Sequence, residues 1–207
     1  MSPGARMEHA YTELKARVMA GEFAPGSKLD PGQLAAELGA SATPVRDALH
    51  RLSGERLVDS WHQEGFRQPL VSEADLRDLY AWTAMLLGYA LRSLTMPPVP
   101  PDGPVVGADG DDYPGRLDRL FRSIALFSPN REVRHAIASA VDRLHLVRAL
   151  EHQTDPLCSE ALADLEEDFR SARWPELRAK INSFHRRRLT WVRRVCAEMR
   201  KREEALG

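Results

Sequence analysis

Cysteine is nearly missing: Cys158 and Cys196 are the two in 207 residues, far apart and in no CxxC. Such spacing excludes a disulfide framework or a zinc ribbon, and leaves two free thiols in a reducing compartment as the expectation. Long apolar runs are missing too, so no segment is expected to span a membrane. The start, MSPGARMEHAYTELK, lacks the apolar centre of a secretion signal, which places the chain in the cytoplasm as an expectation. There is no nucleophile elbow, phosphate loop, HExxH or clustered set of carboxylates, so neither an enzyme nor a cofactor-binding protein is expected. Net charge is almost nil, with 29 Lys and Arg against 30 Asp and Glu. Any contact with nucleic acid must therefore depend on where the charges sit.

What is present divides into two parts, 1–71 and 72–207. In the first, HAYTELKARVMAGEF carries Leu14, Val18 and Met19 at helical spacing and ends at Gly21. APGSKLD reads as a turn on its Pro and Gly. PGQLAAELG predicts a helix of barely two turns, with Leu34, Ala35 and Leu38 on one face and Gly39 as its stop. A second short helix, ATPVRDALHRLS, follows at once, with Thr43 as its cap and Pro44 at its first position. Two short helices joined by a tight glycine turn form a helix-turn-helix. RLVDSWHQEGFRQPLV then has the alternation of a hairpin turning near Gln63, Glu64 and Gly65. The whole reads as a winged helix-turn-helix with a small β-hairpin wing.

At 100° per residue, Val45, Ala48, Leu49 and Leu52 fall on one side of the second helix and face inward. Ser41, Thr43, Arg46, His50 and Arg51 remain on its outer rim, where Asp47 and Arg51 have the spacing of an ion pair. Arg46 stands in the first turn, where the helix dipole disfavours a cation by a few tenths to about 1 kcal/mol. A recognition helix resolves the conflict, because its first residues reach base edges and Arg pairs bidentately with guanine. The rim residues are thus the candidate DNA contacts, with double-stranded DNA as the expected partner. Across residues 1–72 the count is eight Lys and Arg against nine Asp and Glu. So few phosphate contacts hold DNA weakly, so a homodimer on an inverted repeat is expected.

From Ser72 the chain reads helical. SEADLRDLYAWTAMLLGYALRSL opens on a Ser cap and carries Leu76, Leu79, Tyr80, Leu86 and Leu87. Residues 97–115 are rich in Pro, Gly and Asp and read as a flexible connection. RLDRLFRSIALFS, NREVRHAIASAVDRLHLVRALEHQ, ALADLEEDFRSA and the segment from Trp174 to about Glu204 complete an antiparallel bundle of about five helices. The fold class is mainly α. Trp174, Leu177, Ile181, Phe184, Trp191 and Val195 form an apolar stripe that belongs to the core, and HRRRLTWVRRV reads as a solvated basic face. His135, His145 and His152 could ligate a metal only if two helices converged.

ELKARVMAGEFAPGSKL, LAAELGASATPVRDALHRLSGERLV and EGFRQPLVS resemble the GntR family of bacterial transcription regulators over roughly residues 8–72. In the second half, DLRDLYAWTAMLLGYALRSL, LDRLFRSIALFSPNREV and INSFHRRRL resemble the helical FCD subgroup. The resemblance implies a regulator, usually a repressor, whose helical domain senses a small molecule. It adds Gly65 and Arg67 of the wing to the DNA contacts. Gly32 and Ala42 stand where family members usually have Arg, so two expected contacts are missing.

The family's common metal site uses one Asp and three His. Asp118 and His185 match two of them, Arg122 stands at a third, and no His lies near Asp164 and Leu165. No metal is expected with a permanent cation in the site. Thr83 occupies a usual Arg position and Leu87 a common Glu. Asp118, Arg122, His185 and Thr83 are therefore the candidates for a small anionic effector, Arg122 meeting a carboxylate or else pairing with Asp118. His185 reads more readily as a packed, hydrogen-bonded residue. The alternative is a constitutive DNA-binding protein whose helical domain only dimerises.

Overall fold

The computed structural model describes residues 3–61, 65–92 and 112–206. Two compact units emerge, Met1–Val71 with Glu198–Gly207, and Ser72–Ala197.

The first unit is built from α1 (Pro3–Ala20), β1 (Lys28–Leu29), α2 (Pro31–Glu37), α3 (Ala42–Gly54), β2 (Asp59–Trp61) and β3 (Gly65–Arg67). Helix α2 starts where Asp30 accepts hydrogen bonds from the N–H groups of Gly32 and Gln33, both at 2.9 Å. It ends before Gly39, whose φ of +59° suits glycine. Val45, Ala48, Leu49 and Leu52 of α3 are all 0% exposed and pack with Leu14 and Val18 of α1. Each of the larger three contributes about 1.5–3 kcal/mol by leaving water.

Three details depart from the sequence reading. Helix α3 begins at Ala42 with Ser41 as its cap, not Thr43, and the Ser41 side chain makes no capping bond. Pro44 is accordingly the third helical residue, still among the first four whose N–H groups have no acceptor in the helix, and Arg46 is the fifth, past the first turn in which the sequence reading placed it. APGSKLD holds a strand as well as a turn: β1 pairs with β3, giving a three-stranded antiparallel sheet in the order β1-β3-β2. The first helix starts at Pro3, before the expected His9. Gly65 lies in β3 with φ +83°, whereas Gln63 and Glu64 of the expected turn fall outside the described residues.

The second unit holds α4 (Glu73–Arg92), α5 (Tyr113–Leu126), α6 (Arg131–Thr154), α7 (Cys158–Arg170) and most of α8 (Trp174–Leu206). Ser72 and Asp75 cap α4 reciprocally, each N–H donating to the other side chain at 3.1 Å. The last residues of the expected 97–115 connection belong to α5. Asp112 accepts from the Gly115 N–H at 2.9 Å, and Pro114 fits the first turn. The rest of that stretch, 97–111, lies outside the described residues. All five helices contribute to one apolar core, among them Leu87, Leu117, Ile124, Val141, Leu162 and Ile181. Cys158 and Cys196 are buried thiols outside any disulfide. Among the described residues, no helix is long and apolar enough to cross a membrane.

Helices α3 and α7 close alike, with a residue in the left-handed region after the cap: Arg56 at φ +61° and Ala172 at φ +54°. Behind Ala172, its own N–H donates to Phe169 O and the Arg173 N–H to Asp168 O. Neither residue is glycine, so both carry a Cβ penalty of about 1 kcal/mol or more. Ala172→Gly is expected to stabilise the chain by about 1 kcal/mol, raising Tm by about 2–4 °C. An unchanged or lower melting temperature in calorimetry counts against this account of the α7 terminus.

Candidate nucleic-acid interface

The apolar stripe of α3 fixes the rotation of that helix, and so what its other side offers. Ser41, Thr43, Arg46, Asp47, His50 and Arg51 are all exposed. Among the described residues Arg46 has no ion-pair partner, and nor has Asp47. The expected Asp47 to Arg51 pair does not form. Arg51 instead donates to Glu8 of α1 at 2.8 Å and lies 3.6 Å from the centroid of the Tyr11 ring. Its side chain is 42% exposed and that of Glu8 56%. A pair so open to water holds by about 1 kcal/mol at most, and Glu55 at 3.6 Å is a second carboxylate beside Arg51.

His50 sets its ring edge-on to Phe66 of β3, with centroids 4.8 Å apart, and so ties α3 to the sheet. Arg67, on the same strand, donates to the carbonyl oxygen of Gly26 at 3.2 Å. Lys28 of β1 is its register partner across the pair. The near-neutral unit still exposes cations because four of its carboxylates are engaged elsewhere. Glu22 and Glu37 both pair with Arg17, Glu55 pairs with Lys15, and Glu8 with Arg51. Among the described residues Lys28, Arg46 and Arg67 have no carboxylate partner, whereas Asp47 and Asp59 temper the same unit's charge.

In the second unit, the effector candidates are drawn into the chain's own bonding. The Thr83 hydroxyl donates to Leu79 O of its own helix at 2.7 Å, so it is committed to α4. Asp118 does not pair with Arg122. Its two oxygens meet His145 Nδ1, at 2.6 Å, and the Arg148 guanidinium, both from α6. Arg122 reaches across to Asp142 of α6. His185 is 4% exposed, donates from Nδ1 to Ile181 O at 2.8 Å, and stacks on Phe121 with centroids 5.6 Å apart. Arg148 lies over the same Phe121 ring, so Asp118, Phe121 and His185 adjoin through it. Among the described residues no group of three or more His, Cys, Asp or Glu is placed to hold a metal ion.

Sequence reasoning missed the centre of this network. Arg148 and Arg188 are 1% and 2% exposed. Glu151 accepts from the Tyr80 hydroxyl and from Arg188 Nε, and Tyr113 accepts from Arg188. Burial pushes the Tyr80 and Tyr113 hydroxyls above the ordinary phenol range. It lowers Arg148 to about 10. The Arg148 Nη2 atom is buried without a hydrogen-bond partner among the described residues. A signal was there: Ile137, Val141, Leu144, Arg148 and Glu151 continue one stripe in steps of four and three, as Leu177, Ile181, Phe184 and Arg188 do. A charge on an apolar stripe marks a buried ion pair.

Comparison with known proteins bears on both units. The sequence model of the gntR family of bacterial regulatory proteins matches residues 6–67. An uncharacterized HTH-type transcriptional regulator of Agrobacterium vitis is 31% identical over 123 residues, 59% of this chain and 72% of that protein. The Nta operon transcriptional regulator of Aminobacter aminovorans is 28% identical over 165 residues, 70% of this chain and 78% of its own. The fold is similar to the solved structure of a protein of Rhodococcus sp. RHA1 assigned as a GntR transcriptional regulator. There the TM-score is 0.73 at 15% identity, covering 91% of this chain and 97% of that one.

Burial holds His185 neutral, with its pKa lowered from 6.5 to about 3. The unfolded chain takes up a proton below pH 6.5 that the folded chain refuses, so stability is intact above that value and falls on acidification toward pH 3. Each pH unit in that window costs about 1.4 kcal/mol from this group. Melting curves from pH 7.5 to 5 are expected to fall in Tm, and His185→Phe to flatten the fall. Equal slopes in both proteins would mean that His185 is not the group responsible.

Proposed function

Because this chain belongs to the gntR family of bacterial regulatory proteins, DNA-binding transcriptional regulators and not enzymes, we propose that it is a repressor reading an inverted-repeat operator as a homodimer. The winged helix of residues 1–71 holds the DNA. Residues 72–207 form an antiparallel helical bundle of the FCD subgroup that dimerises and answers a small anionic effector.

One observation carries the reading: Arg46, the fifth residue of α3, stands exposed on the flank of the buried apolar stripe and has no ion-pair partner among the described residues. Ser41 and Thr43 flank it toward the helix start, and His50 lies one turn on. Gly65 and Arg67 supply the wing, and Arg51 joins when phosphate displaces Glu8 and Glu55. A dimer places two such helices in successive major grooves, about 34 Å apart. For the effector, support comes from Arg148, whose buried Nη2 is an idle donor beside Asp118 and Phe121. A carboxylate is the natural complement of such a group.

A second reading, a constitutive DNA-binding protein with a helical unit serving dimerisation alone, has its own support. Thr83, Asp118, Arg122 and His185 are each already satisfied within the chain.

Arg46→Ala is expected to weaken operator binding by about 1–3 kcal/mol and to relax discrimination at one base pair. An equal loss on random duplex assigns Arg46 to phosphate instead. To separate the two readings, melting is followed against a panel of small carboxylates. Stabilisation that also releases operator DNA supports the sensor, and a flat panel supports the constitutive form.

A further inference from the structure

Helix α4 leaves one side bare. Trp82, Met85 and Tyr89 are 43%, 53% and 41% exposed, although Leu79, Tyr80, Thr83, Leu86 and Leu87 of the same turns are buried. With Asp78 before them and Arg92 after, they recur in steps of four and three, which aligns all five along a single stripe. Three large apolar side chains in one row mark a contact surface more often than a solvated one.

Emptiness lies beside this bulk. Ala81 and Ala84 of α4 face His185, Arg186 and Leu189 of α8 across a cleft of about 440 Å³. Gly88, one turn further on, is buried within the chain.

We propose that this face docks a second copy of the chain, α4 against α4 in antiparallel fashion about a two-fold axis at Met85. The proposal rests on the homodimer put forward above and names its surface. Such an axis sets Asp78 against the partner's Arg92 and Tyr89 against the partner's Ala81. Large meets small and acid meets base on both sides of the axis, as an isologous contact demands. Among the described residues neither Asp78 nor Arg92 has an ion-pair partner within its own chain. The cleft receives the bulky row of the partner.

The test measures molar mass of the full chain by light scattering and sedimentation across the micromolar range. Wild type is expected to be a dimer. Met85→Asp faces two carboxylates across the axis and is expected to raise the dimer Kd roughly 100-fold. Its helical circular dichroism should be unchanged. Asp78→Arg alone weakens the dimer, and Asp78→Arg combined with Arg92→Asp restores it, which no folding defect imitates. A dimer indifferent to Met85→Asp and Asp78→Arg overturns this face while leaving the homodimer in place. Failure of the double exchange to rescue overturns the antiparallel register. A wild type monomeric at every concentration overturns the homodimer as well. A cleft that takes a small carboxylate in the dimer without dissociating it likewise overturns its filling by the partner.

Discussion

The burial of Val45, Ala48, Leu49 and Leu52 against α1 decides which way α3 is turned, and the interface follows from that single orientation. Rotating the helix far enough to hide Arg46 brings at least one leucine into water, at about 2 kcal/mol for each such side chain. As the fifth helical residue Arg46 feels little of the dipole, so nothing electrostatic opposes that cost. Apolar packing therefore wins, and the guanidinium stays outside. Electrostatics within the unit completes the arrangement. Arg17, Lys15 and Arg51 engage four carboxylates, which lets a domain without positive excess keep bare cations on α3 and on the sheet.

The helical unit is organised around a different problem, two guanidinium groups out of reach of water. Arg148 and Arg188 are matched by Asp118 and Glu151, while neutral His185 adds no charge beside them. Breaking one such buried pair by removing a partner costs about 3–5 kcal/mol. The resemblance implied Asp118 and His185 as part of one ligand set. Here Asp118 holds a histidine and an arginine of α6, and His185 is turned to its own helix. The chemistry of this interior is that of proton donors and carboxylates.

Much of the first unit was legible because its stops are local. Gly21, Gly39 and the Pro-Gly turn delimit helices within a few residues. Strand β1 was not legible: two residues become a strand only by pairing with β3 almost forty positions later, and no periodicity records that. Ion pairs failed for the same reason. Spacing suggested Asp47 with Arg51 and Asp118 with Arg122, but Arg51 meets Glu8 of α1 and Glu55 at the end of its own helix, and Arg122 meets Asp142 of α6. Packing His185 and leaving Trp174, Leu177, Ile181 and Phe184 to the core needed only the apolar stripe. Arg148 and Arg188 lay on such stripes too, yet arginine is so commonly a surface residue that its position was outweighed by its type.

The paired charges inside the helical unit also limit how its helices can move. An interior of leucines alone tolerates sliding of one helix along another, since each new setting still buries hydrocarbon. A slip of α6 by one turn carries Arg148 about 5.4 Å from Asp118 and separates Glu151 from Tyr80 and Arg188 together. The polar pins thus leave the helices a single axial setting, and any motion the unit makes must carry α4, α5, α6 and α8 as one block.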